Sequence, residues 1–178
     1  MNYERNLMAL CRAVVEANSL GMDFVLWLYG EGNEKKDLKV FADQTNGYIK
    51  VFDVIPNEQV PDVLACAHVG ALPFPNEEKY WVSSPIKLFE YMGAGMPILA
   101  TKIDCHTDVI DKGDYAFWAE GSDVDSLLEA LKKTWEARSS LKTLGEKALS
   151  ASKDWTWATS AKRLDAALKH GLSLHSKG

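Results

Sequence analysis

The chain is short of the residues that most simply announce a chemistry. Its 178 residues include three cysteines, Cys11, Cys66 and Cys105, and four histidines. The cysteines are far apart, odd in number and form no CxxC pair. They read as reduced, mostly buried thiols, not as a disulfide framework or a zinc site. No His/Cys/carboxylate cluster has metal-ligand spacing, and no Ser/His/Asp arrangement can be argued. Positive charge is not in excess: 20 Lys and Arg stand against 25 Asp and Glu, a net charge of −5. A phosphate backbone demands a basic face, so nucleic acid is excluded as the main partner, while a single nucleotide needs only local positive charge. No apolar run approaches the roughly 18 residues that span a bilayer. The opening MNYERN is not a signal peptide. The GxGxxG fingerprint is missing too, because Lys35 stands three residues after Gly32.

What remains is ordinary for one soluble globular domain: 47% hydrophobic and 25% charged residues, with room for a sizeable core. Leu7, Leu10, Cys11, Val14 and Val15 repeat at helical spacing up to a stop at Gly21. Asp23–Tyr29 reads as a buried strand, ended by Gly30-Glu31-Gly32. A helix over 34–45, an Asn46-Gly47 turn and a strand over 49–52 follow. The pattern then predicts a helix over 57–67, strands over 69–72, 98–101 and 115–119, and a helix capped by Asp123 that runs to about Arg138. Helices over 141–152 and 156–169 close the chain. Alternation of this kind predicts an α/β fold with a parallel sheet covered on both faces.

The stretch Ser83–Thr101, SSPIKLFEYMGAGMPILAT, carries the most information. Ser84 is suited to cap a helix and Pro85 to its first position. The free N–H groups of such a helix start favour an anion such as phosphate. Lys87 and Glu90 fall three residues apart on one helix face. A cation there suits a diphosphate, and a carboxylate suits two adjacent hydroxyls, because both its oxygens accept. A plain helix pair between Lys87 and Glu90 is equally compatible with the spacing.

At these residues the chain resembles the donor-binding signature of glycosyltransferases with the GT-B fold, of the group 1 (family 4) type. The likeness rests on Ser-Pro-x-Lys-Leu-Phe-Glu-Tyr-Met-x-Ala-Gly-x-Pro and extends over roughly residues 3–168. It implies a Rossmann-like, doubly wound parallel sheet, with residues 1–170 forming the C-terminal, nucleotide-sugar-binding domain and 171–178 a flexible tail. The N-terminal acceptor domain is then not in this chain. The pattern also calls for a strand before the first helix, in the middle of the sheet, and Tyr3-Glu4-Arg5-Asn6 resembles the segment just after it. A missing central strand leaves two open edges and invites self-association.

The resemblance assigns roles residue by residue. Glu90 would accept bonds from the donor ribose. Lys87 and Arg5, the two residues with catalytic roles, would stabilise the departing diphosphate. Ser83 and Ser84 would donate to that diphosphate. Gly30 and Gly32 would let the backbone turn near the nucleotide, and Val54 would meet the base through its backbone. No metal or other cofactor is implied. Val82 stands where many members carry a glutamate that contacts the sugar, so sugar identity stays open. His68 is expected to pack before a strand, and His106 to lie near the loop after Thr101. Tyr80 and Trp81 read either as sugar-pocket lining or as an apolar anchor, and Trp155 and Trp157 read as packing residues. The expected reaction moves a sugar from a nucleoside diphosphate sugar to a glycan or lipid acceptor, in the cytoplasm or at the inner membrane face. Alternatives that share the scaffold are a non-catalytic nucleotide-binding or regulatory module and an NAD-dependent enzyme.

Overall fold

The computed structural model describes residues 1–175. Among the described residues, five strands, all parallel, form two sheets. β1 (Leu26–Tyr29) pairs with β2 (Ile49–Phe52), with Leu26 opposite Ile49 and Tyr29 opposite Phe52. β3 (Gly70–Leu72), β4 (Ile98–Thr101) and β5 (Ala116–Ala119) make the second sheet, with β4 in the middle. Around them lie α1 (Leu7–Ser19), α2 (Lys35–Ala42), α3 (Val60–Ala65), α4 (Glu78–Trp81) and α5 (Ile86–Gly93). The chain continues through α6 (Asp104–Ile110), α7 (Val124–Glu136), α8 (Leu141–Ser152) and α9 (Trp157–His175).

The expected parallel strands flanked by helices are present, but the single continuous sheet is not. No ladder joins β1 to β3 among the described residues. The segment ahead of α1 is a 3₁₀ turn at Tyr3–Arg5, not a strand. One core nevertheless serves both sheets. Leu10, Val14 and Ala17 of α1 and Leu127 and Leu131 of α7 cover Leu28 and Ile49 from the first sheet, and Leu99 and Phe117 from the second. A second core lies against the other side of β3–β5 and gathers Leu72, Phe74, Tyr80, Leu88, Met92, Ile98 and Ala148. Every residue of β4 is buried, as suits a central strand with both faces covered.

Local chemistry explains the clearest boundaries. Asp123 caps α7, its carboxylate accepting from the Ser126 amide at 2.9 Å. Asn46 and Gly47 both take positive φ, 50° and 84°, at the turn before β2. α8 approaches the turn after α5 so closely that a Cβ on Gly145 would strike the Gly95 carbonyl.

Several expectations are corrected. The expected buried strand is only partly buried: Trp27 within β1 and Val25 just before it are exposed. His68, expected to pack before its strand, is exposed, whereas the thiols are mostly buried as expected: Cys11 and Cys105 are buried and Cys66 is exposed. His106, expected near the loop after Thr101, lies in the first turn of α6. Trp155 packs on Phe89 at 5.5 Å, whereas Trp157 is exposed. Residues 171–175, expected as tail, continue α9, and 176–178 lie outside the described residues.

Candidate functional site

Parallel strands bring their carboxyl ends to one side, the side on which open α/β folds bind ligands. Gly30 and Gly32 follow β1, Val54 follows β2, and Ser83 and Ser84 lie between β3 and α5. The first five residues cross between these loops. On the β1 side the Met1 ammonium donates to the Glu31 carbonyl, and the Glu34 amide donates to the Met1 carbonyl at 3.1 Å. The Tyr3 amide donates to Asn33 Oδ1 at 3.1 Å. On the β3 side the Tyr80 hydroxyl donates to the Glu4 carbonyl at 2.8 Å, and the Arg5 guanidinium lies 4.2 Å over the Phe74 ring. The segment therefore ties the two halves together where no strand ladder does. Gly32, with φ of 152°, is needed for this tie, because a Cβ there would collide with Met1.

Phe74 is the hub on the β3 side, and the sequence pattern did not single it out. Its carbonyl accepts from Thr101 Oγ1 at 2.6 Å, and its ring meets Arg5, Tyr80 and His106. Its ordinary apolar character hid it; a place two residues past a strand end was the one available signal. Tyr80 proves to be the apolar anchor, buried against Phe74, while Trp81 is exposed and donates to Asn76 Oδ1 at 2.6 Å. His106 Nδ1 lies 2.8 Å from the Thr101 carbonyl, so that nitrogen carries the hydrogen and Nε2 is left as a buried acceptor without a partner among the described residues. Burial holds the His106 pKa below its ordinary value, against the opposing pull of the Thr101 carbonyl. Burial raises the Cys105 thiol, and the neighbouring Ser83 hydroxyl opposes that shift.

Helix α5 begins one residue later than expected. Pro85 is its N-cap residue, with extended backbone, and no side chain caps it, so Ser84 is not the cap. Ser84 is exposed, and Ser83 is half-buried with no well-formed bond to its Oγ among the described residues. The first N–H groups of any helix lack intrahelical partners, which leaves this end open to an acceptor. Lys87 and Glu90 pair with each other at 2.6 Å. Val54 is exposed beside a charge cluster in which Lys35 bridges Glu31 and Asp53, the latter at 2.7 Å. The bonds from Lys35 and Lys39 hold the Asp53 carboxyl below its usual range. A groove of about 430 Å³ lined by Asp108, Lys112, Asp154, Trp155 and Arg163 contains none of the candidate residues.

Parallel strands flanked by helices define a Rossmann-like α/β architecture. The chain belongs to the group 1 glycosyltransferases, whose family model matches residues 1–137. Solved structures with the same fold include the catalytic domain of the Helicobacter pylori cholesterol-alpha-glucosyltransferase, 17% identical with a TM-score of 0.70 over 88% of this chain and 95% of that one. Sucrose-phosphate synthase from Thermosynechococcus elongatus is 15% identical, with a TM-score of 0.72 over 92% of this chain and 42% of that one. Anabaena HepE in complex with UDP is 16% identical, with a TM-score of 0.66 over 89% of this chain and 44% of that one. The chain thus spans less than half the length of the last two. No curated protein matches the sequence.

Proposed function

We propose that this chain binds a nucleoside diphosphate sugar at the carboxyl ends of its strands and serves as the donor half of a retaining hexosyltransferase. The observation that carries the reading is Arg5. Its guanidinium is laid over Phe74, within 5.5 Å of Tyr80 as well, and no carboxylate pairs with it among the described residues. A cation–π contact of this kind is worth about 0.5–1 kcal/mol at an exposed site, and it leaves the N–H donors free for an anion. Arg5 and Lys87 stabilise the charge that grows on the diphosphate as the sugar–phosphate bond breaks. Ser83, Ser84 and the open start of α5 donate to the phosphate oxygens. Glu90 turns from Lys87 to the ribose hydroxyls, where charge-assisted bonds are worth about 1.5–3 kcal/mol. Gly30, Gly32 and Val54 bound the nucleoside. The UDP in the HepE complex favours testing a uridine nucleotide first. The acceptor hydroxyl is held by a second domain, so the chain alone transfers little or no sugar.

Calorimetric titration with UDP, GDP, ADP and NADH tests this. Binding of one diphosphate nucleotide, weakened at least about tenfold by Arg5→Ala and by Glu90→Ala, is the expected result. Preference for NADH, or indifference to both substitutions in a folded chain, would refute it.

A further inference from the structure

Arg5 stands on a platform that other elements hold. Its guanidinium lies 4.2 Å over the Phe74 ring and 5.5 Å from that of Tyr80. Phe74 comes two residues after the end of β3, and the β3–β4 ladder stops at Leu72 opposite Ala100. Strand pairing therefore does not fix Phe74. A side chain does: Thr101 Oγ1 donates to the Phe74 carbonyl at 2.6 Å and carries the contact one step past the ladder. Thr101 is buried, and its own backbone is held on the other side by β5, opposite Ala119.

His106 closes this arrangement from α6. Its Nδ1–H donates to the Thr101 carbonyl at 2.8 Å, and its ring meets Phe74 at 5.2 Å, tilted by 50°. One imidazole thus touches both the strand end that holds the Phe74 carbonyl and the ring that carries Arg5. The side chain is fully buried, and Nε2 has no partner among the described residues. A buried acceptor without a partner is a cost, and a leucine of comparable size would fill the space without it. Packing alone does not call for histidine here. What histidine adds is the directed bond from Nδ1, which orients the ring against Phe74. With Nε2 bare the ring is neutral, so it brings no second positive charge to the ring that carries the guanidinium.

We propose that His106 is a positioning residue for the donor diphosphate: with Thr101 it holds Phe74, and Phe74 holds the Arg5 guanidinium where its N–H donors meet the phosphate oxygens. This rests on the donor-binding reading of Arg5. His106 itself touches no ligand. It acts through Thr101 and Phe74, each link a contact in the free chain. A planar guanidinium fork suits a phosphate in only a narrow range of orientations. A platform that restricts the fork to that range raises affinity without adding a contact, because less freedom is lost on binding.

Two measurements on the whole chain test this, and they separate it from the donor reading beneath it. The first needs no ligand. The Nε–H resonance of Arg5, identified by its loss in Arg5→Ala, is displaced by the ring current of Phe74. It moves to the position of a free arginine in His106→Leu and in Thr101→Val. It stays in place in His106→Asn, which keeps a donor for the Thr101 carbonyl. The second is calorimetric titration with UDP. His106→Leu weakens binding by at least about fivefold, and His106→Asn restores it to within about twofold. In the Arg5→Ala background the same leucine substitution has no effect beyond about twofold, whereas a merely structural role would cost the same with or without Arg5.

Full UDP affinity in a folded His106→Leu chain, an equal loss in both backgrounds, or an Arg5 resonance that ignores both substitutions would overturn the proposal. If His106→Leu does not fold, Thr101→Val carries the same tests, since it keeps the side-chain shape and removes the bond to Phe74. A wild-type chain that binds no UDP, GDP or ADP would overturn the donor reading and the role in binding with it. The Arg5 resonance then still decides whether His106 holds the guanidinium.

Discussion

Lys87 and Glu90, the two side chains of α5 that the motif assigns to a donor, close a salt bridge with each other at 2.6 Å in the free chain. The pair is a resting arrangement. Neither side chain belongs to a buried network. Their side chains are 57% and 34% exposed, so solvent screens the attraction.

The pair therefore adds little to stability. Glu90→Gln and Lys87→Met each change the unfolding free energy by about 0.5 kcal/mol or less. Urea denaturation of both variants and their double mutant measures this. A coupling well above that size would make the pair structural and remove the case for its release to a ligand.

Gly145 and Gly93 respond in opposite directions to alanine, although both lie in helices. A Cβ on Gly145 meets the backbone carbonyl of Gly95, which cannot swing aside, whereas Gly93 faces open space. Gly145→Ala lowers stability by about 1–3 kcal/mol despite the better helix propensity of alanine. Gly93→Ala raises it by up to about 1 kcal/mol. Equal melting shifts of the same sign would contradict this packing of α8 against the α5 turn.

His106 makes the fold acid-sensitive. Burial holds its pKa below the ordinary value of 6.5, so near and below that pH the unfolded chain binds the proton that the folded chain refuses. Its contribution to stability is complete above about pH 7 and declines as pH falls through the unfolded value. His106→Asn, which keeps a donor for the Thr101 carbonyl, removes that slope. The difference between the two proteins in denaturation midpoints from about pH 8 to about pH 5 reads it directly. A flat difference would mean that the ring is solvated in the folded state.

Much of the fold is legible along the chain. β2 and β4 match their apolar runs residue for residue, and α8 and the Asp123 cap of α7 fall where period and capping chemistry place them. Two short helices escape such reading. α4 and α6 have too few residues to show a clear period, and the sequence pattern marks neither. The Ser84 cap failed for a related reason: a serine before proline is a good cap in composition, but the backbone turns helical only at Ile86.

The sequence by itself determined the alternation of strands and helices, the parallel sense that such alternation forces, and the glycosyltransferase family through the motif around Lys87 and Glu90. These are properties of near neighbours, set by local dihedral preferences and periodic apolar faces. The tertiary structure decided the rest. It placed Arg5 on Phe74, 69 positions along the chain. It divided the sheet between β1 and β3 while keeping one core beneath both. Each of these depends on which distant surfaces come together, and burial of apolar area is indifferent to separation along the chain.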